Sequence, residues 1–253
     1  METPIIQVKN LVKKYNDFTA VNNISFDVFK NEIFGLLGPN GAGKTSTLEI
    51  IETLREKTSG SIFVDGLSVD THKQEIKKII GVQLQAAGYY PNLNLKEILE
   101  VFAGLYNIDI KPMQILQEVN LEDKAKNKFK ELSGGQKQRF SIATTLINKP
   151  KVIFLDEPTT GLDPQARRNL WDLIKKLREN GTTIVLTTHY MDEAEELCDR
   201  IAIVDSGQII KLDTPDAMID NLIAAGFERT KKVKAANLED VFLNLTGKEL
   251  RDL

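Results

Sequence analysis

The 253-residue chain is poor in reactive and metal-binding side chains, with one cysteine, one tryptophan and two histidines. A lone cysteine excludes an internal disulfide and fits a reducing compartment. Cys198, between Leu197 and Asp199, reads as a small core residue at the buried end of a short helix. His72 lies in a charged turn without metal-binding neighbours, and His189 follows an apolar run. No apolar stretch approaches 18 residues and no signal-peptide pattern opens the chain, so the expectation is a polypeptide that neither crosses a membrane nor leaves the cytoplasm by itself. A net charge of −3 argues against a general affinity for nucleic acid. The lysines at 124, 126, 128 and 130, and at 231, 232 and 234, read as solvated faces. Repeats and low-complexity tracts are also missing. What remains, 42% hydrophobic residues over this length, can bury a substantial core as one unit of two lobes.

Against that plain background three motifs stand out. Gly38-Pro39-Asn40-Gly41-Ala42-Gly43-Lys44-Thr45 fits the pattern of Gly, four residues, Gly, Lys and Thr, in which backbone N–H groups wrap phosphates. The lysine supplies charge there and the threonine hydroxyl reaches Mg²⁺. Ile33–Leu37 before the loop reads as a buried strand and Thr45–Leu54 after it as a helix, which puts the loop at a helix N-terminus. Leu132-Ser133-Gly134-Gly135-Gln136 comes second. Its glycine pair opens a helix, a costly choice with no simple packing explanation, and so suggests a binding site. The third, Val152-Ile153-Phe154-Leu155-Asp156-Glu157, is an apolar strand that delivers a carboxylate at its C-terminal edge, where α/β sheets bind ligands. Glu157 is the candidate general base. The three together point to ATP.

With these motifs the chain resembles the ATP-binding subunits of ABC transporters over nearly its whole length. The resemblance implies a phosphate-loop α/β cassette with a parallel-sheet core, an N-terminal antiparallel β subdomain and an inserted α-helical subdomain. It gives Tyr15 as an adenine-stacking aromatic and places Ser46 with the phosphate loop. Gln85 becomes a Mg²⁺ ligand beside Thr45 and Asp156, Asp163 an interface residue in the Pro158–Pro164 loop, and His189 a sensor of the γ-phosphate. Ser133, Gly134, Gly135 and Gln136 would close on nucleotide held by a second cassette, so that catalysis requires a dimer. All half-site motifs are intact, which favours two copies of this chain. The further implied partner is a separate integral-membrane permease, with the cassette at the cytoplasmic face of the cell membrane.

The expected organisation is a core of about 1–84 and 151–215, a helical subdomain of about 85–150 carrying Ser133–Gln136, and a helical tail of about 216–253. Within it, helices are predicted near 95–106, 112–119, 164–180 and 190–198, and strands near 151–156, 183–188 and 200–205. Trp171 falls on an apolar helix face and reads as core. Ala86–Leu93, with Tyr89 and Tyr90, is aromatic enough to suggest a docking surface, with packing of the helical lobe as the other reading. The tail, with an amphipathic stretch over 237–250, together with Thr53-Leu54-Arg55 and Arg167–Trp171, is similar to exporters of the daunorubicin-resistance type. A soluble scaffold ATPase of the iron–sulfur assembly kind is the alternative. DNA-repair and translation relatives carry coiled coils, zinc sites or paired cassettes, none of which are found here.

Overall fold

A computed structural model describes residues 3–83 and 88–227. Gln85 and the amphipathic stretch at 237–250 therefore lie outside the described residues. The chain divides into two compact units, Met1–Ala217 and Met218–Leu253.

In the first unit, alternating apolar and polar residues build an antiparallel sheet with one solvated face. Strands β1 (Ile6–Tyr15) and β2 (Phe18–Val28) form a hairpin that turns at Asn16, whose φ of 52° an asparagine tolerates. After β3 (Ile33–Leu37), β4 (Ser59–Val64) pairs with the other edge of β1, and β5 (Leu67–Ser68) completes the order β2-β1-β4-β5.

The second sheet has six strands in the order β10-β9-β3-β8-β7-β6. Its further members are β6 (Ile80–Val82), β7 (Val152–Asp156), β8 (Thr183–Thr188), β9 (Arg200–Asp205) and β10 (Gln208–Asp213). All run parallel except β10, which turns back on β9 as a partly exposed edge. Every residue of β3 and β8 is buried, as expected of strands covered on both faces. Phe26 of β2 stacks on Phe34 of β3 with ring centroids 5.2 Å apart, so one core serves both sheets.

Helices α1 (Lys44–Ile51) and α2 (Lys73–Ile79) follow the first strands. The predicted extension of α1 to Leu54 does not form, because Thr53 turns to a φ of 64°. Helix α3 (Leu95–Tyr106) opens on a full capping box, in which Asn94 accepts from the Glu97 N–H and Glu97 from the Asn94 N–H. It packs with α4 (Pro112–Glu118) and α5 (Gly134–Thr145). Of the two readings for Tyr89 the packing one holds: its ring meets Phe129 at 4.5 Å, Phe140 at 5.3 Å and Phe102 at 6.0 Å. Tyr90 stays exposed.

Helices α6 (Pro164–Glu179) and α7 (Met191–Leu197) flank β8. Cys198 is buried directly after α7, and a Cβ added at Gly35 of β3 would lie 2.6 Å from its sulfur. Burial raises the Cys198 thiol far above its ordinary range. Helix α8 (Pro215–Ala224) closes the first unit and, from Met218, begins the second. No helix among the described residues is long and apolar enough to cross a membrane.

Candidate nucleotide site

Parallel pairing sets the C-terminal ends of three core strands side by side. Leu37 of β3 is in register with Thr188 of β8, and Asp156 of β7 with Thr187 of β8. The phosphate loop leaves β3, the acidic pair leaves β7, and His189 leaves β8, so three segments far apart in sequence open onto one edge.

The loop is built without side chains where it must bend. Gly43 takes a φ of 98°, and a Cβ there would come within 2.4 Å of the Ala20 carbonyl oxygen; another residue would suffer both strain and collision. Lys44 begins α1 almost buried and curls back, its Nζ donating to the carbonyls of Gly38 at 2.8 Å and Pro39 at 3.0 Å. The same Nζ lies 3.6 Å from Glu157 Oε1.

Asp156 and Glu157 are organised by a residue that sequence reasoning missed. Buried Thr187 donates its hydroxyl to Asp156 Oδ1, and its Oγ accepts the Glu157 N–H at 3.0 Å. Glu157 sits at a φ of 48°, uncommon for a non-glycine residue, and that N–H is shared with the Thr187 carbonyl at 3.2 Å. Its Oε2 accepts from Thr160 Oγ1 at 3.3 Å. His189 Nδ1 lies 3.2 Å from the same oxygen, although out of line for a hydrogen bond. The signal for Thr187 was its place one residue before the Thr-His end of an apolar strand, but only the pairing register turns that into a contact.

Thr45 Oγ1 is 3.1 Å from Asp156 Oδ2. A hydroxyl and a carboxylate meeting at the phosphate loop make an oxygen donor set that suits a hard divalent cation. No cluster of three or more His, Cys, Asp or Glu able to hold a metal by itself occurs among the described residues; the remaining ligands would have to come from elsewhere. Tyr15, at the end of β1, stands beside the first turn of α1, its hydroxyl 3.4 Å from Ser46 Oγ and its ring near the Lys13 amine and the Arg55 guanidinium.

Ser133–Gln136 has a local structural cause that the sequence reading lacked. Ser133 Oγ accepts from the Gln136 N–H at 3.3 Å and Gln136 Oε1 from the Ser133 N–H at 2.9 Å, so the motif is a capping box for α5. A Cβ on Gly135 would approach the Ala166 Cβ of α6 to 2.9 Å. The expectation that the glycine pair has no packing explanation is thus corrected: Gly135 lets α5 sit against α6. Ser133 and Gly134 remain exposed at the tip. Asp163 caps α6 by accepting the Ala166 N–H at 2.8 Å. Trp171, expected in the core, is half-buried, its indole N–H donating to fully buried Glu193 at 3.1 Å.

The family model described as ABC transporter matches residues 21–160, from β2 to the loop after Glu157. The chain belongs to the ABC transporter family. Nod factor export ATP-binding protein I of Burkholderia orbicola is 34% identical, with all of both chains covered. Linearmycin resistance ATP-binding protein LnrL of Bacillus subtilis is 36% identical over 94% of this chain and 78% of its own. The fold also matches the dimeric post-hydrolysis structure of the cassette MJ0796 bound to ADP and phosphate, at 28% identity and a TM-score of 0.74 over 83% of this chain and 98% of that one. This ABC cassette is the ATP-binding, ATP-hydrolysing subunit of a transporter.

Proposed function

We propose that this ABC cassette powers export through a separate integral-membrane subunit, working at the cytoplasmic face of the membrane as a head-to-tail pair of two copies. The export-type names of its relatives support the direction. The dimeric MJ0796 structure supports the pairing.

In this reading Tyr15 stacks on adenine, and the Gly38–Ser46 loop with Lys44 holds and neutralises the phosphates. Thr45, Gln85 and Asp156 would hold Mg²⁺, which supplies charge neutralisation on the phosphate oxygens. Glu157 orients a water and takes its proton as the water oxygen attacks the γ-phosphorus; the bond to the bridging oxygen breaks and ADP leaves. His189 contacts the γ-phosphate and reports its presence. Ser133, Gly134, Gly135 and Gln136 of the second copy close over it with the positive end of α5, while Asp163 lies at the junction of the two copies. ATP contacting both copies shifts the pair to its closed form, and hydrolysis removes that contact.

The carrying observation is Glu157: a strained backbone fixed by Thr187 places its carboxylate within 3.6 Å of Lys44 and 3.2 Å of His189. Strain kept at such a point is a mark of function. A tagged Glu157→Gln chain should bind ATP, release no phosphate, accumulate as a dimer and co-purify with a polytopic membrane protein from detergent-solubilised native membranes. Normal phosphate release would remove Glu157 from the role of base. Recovery of soluble proteins alone would favour the scaffold alternative.

A further inference from the structure

The stretch Arg167–Trp171 is not used by the nucleotide chemistry, yet it begins a continuous polar seam. Residues four apart on a helix share one face, and along α6 Arg167, Trp171 and Lys175, followed by Arg178, all reach toward α7 and its C-terminal neighbour. Arg167 Nη1 donates to Asp192 at 3.1 Å, Trp171 Nε1 to Glu193 at 3.1 Å, Lys175 Nζ to Glu196 at 2.5 Å and Arg178 Nη2 to Asp199 at 3.0 Å. One helix is the donor throughout and the other side the acceptor.

At the end of this seam nearest the site the contacts continue into His189. The Arg167 guanidinium lies 4.6 Å from the ring centroid of Tyr190, and that ring lies 4.1 Å from the imidazole of His189. His189 in turn stands 3.2 Å from Glu157. Only His189 and Tyr190 connect β8 to α7, so their placement is set by what grips them from the side.

We propose that Arg167 is a positioning residue for His189, acting through Tyr190. Its guanidinium is shared between a carboxylate and an aromatic face, a planar use to which arginine is suited. Because Arg167 lies one turn from Asp163, the cap of α6, it ties the loop at the expected junction of two copies to the imidazole beside the γ-phosphate. This rests on the sensor role proposed above for His189.

The competing reading is a half-exposed ion pair of little consequence. Steady-state turnover and equilibrium binding of a fluorescent ATP analogue with Mg²⁺ separate the two, measured on the full chain for Arg167→Ala, Arg167→Lys, Tyr190→Ala, the Arg167→Ala/Tyr190→Ala pair and His189→Ala. Misplacing a reacting group costs rate before affinity, so Arg167→Ala should lose about tenfold or more in kcat at unchanged nucleotide affinity. The double variant should be no slower than the slower single one, because both act on one path. Arg167→Lys, which keeps the charge for ring and carboxylate but not the planar guanidinium, should recover only part of the loss. Wild-type kcat in Arg167→Ala, losses that multiply in the double variant, or a lysine no better than alanine would each overturn the proposal. His189→Ala should be inactive; if it turns over normally, the sensor role itself falls and the positioning role falls with it.

Discussion

Thr187 shows how much one hydroxyl can organise. It donates to one carboxylate of the acidic pair and accepts the backbone N–H of the other, so its removal takes one hydrogen bond from each of two groups at the strand edge. Thr187→Val keeps the shape and the β-branched fit to the strand while deleting both bonds. Turnover should fall about tenfold or more, since catalytic groups act only when held in place, and single-turnover phosphate release would register the change. Glu52, at the C-cap of α1, is 5% exposed. Burial first, then the carboxylates of Asp156 and Glu49, push its carboxyl from 4.5 up to about 8. The folded chain therefore binds a proton that the unfolded chain gives up. This contribution is fully present below about pH 4.5 and is lost as pH rises toward 8, with a slope of at most about 1.4 kcal/mol per pH unit, and is flat beyond. Glu52→Gln mimics the protonated form. Its denaturation midpoint should match wild type near pH 5 and exceed it near pH 9; parallel pH curves for the two proteins would show that Glu52 does not titrate in this window.

Among the elements, α6 and α7 are held by a seam whose interior differs from its rim. Lys175 with Glu196 and Arg178 with Asp199 are exposed pairs, each worth under about 1 kcal/mol. The Trp171 bond to Glu193 is another matter, because Glu193 is fully buried and its second oxygen has no partner among the described residues. Trp171→Phe should cost about 3 kcal/mol by leaving a buried carboxyl unbonded, and adding Glu193→Leu should return part of that loss. Urea titration of the single and double variants reads this directly. Element boundaries were largely legible: the Asn94 to Glu97 capping box and the Pro164 start are written in residue types, β3 is an apolar run and β8 is built on the apolar run Ile184–Leu186. Strand β6, with three residues, is too short to show a period. Strand β10 is an edge with exposed faces, so its pattern carries no burial signal. The Ser133–Gln136 capping box is written in residue types as well, yet the sequence reading took the motif only as a binding site, and the approach of Gly135 to Ala166 depends on two helices meeting, which no local pattern announces. For the same reason the motifs could name Asp156 and Glu157, and the family resemblance His189, whereas Thr187, Thr160 and the Arg167–Tyr190 stack needed strand register and helix packing.

For the whole molecule, the composite site proposed above makes a prediction that no single chain can satisfy. Lys44→Ala disables a phosphate loop and Ser133→Arg disables the motif offered to a partner, so each variant alone should be inactive. Mixed in equal amounts, half of the pairs contain both, and each such pair has one intact site, so about a quarter of wild-type turnover should return if the pairing is two-fold. No recovery on mixing would mean that each site is complete within one chain, or that the working partner is a different cassette. The buried sulfur has a use in following such events. With the thiol of Cys198 enclosed against β3 and its ionisation suppressed, the wild-type sequence should stay silent toward maleimide and other thiol labels under native conditions. A single cysteine introduced by Ser133→Cys or Tyr90→Cys would then be the sole point of attachment, and spectroscopic reporters could watch the cassette open and close without first stripping the native sequence of sulfur.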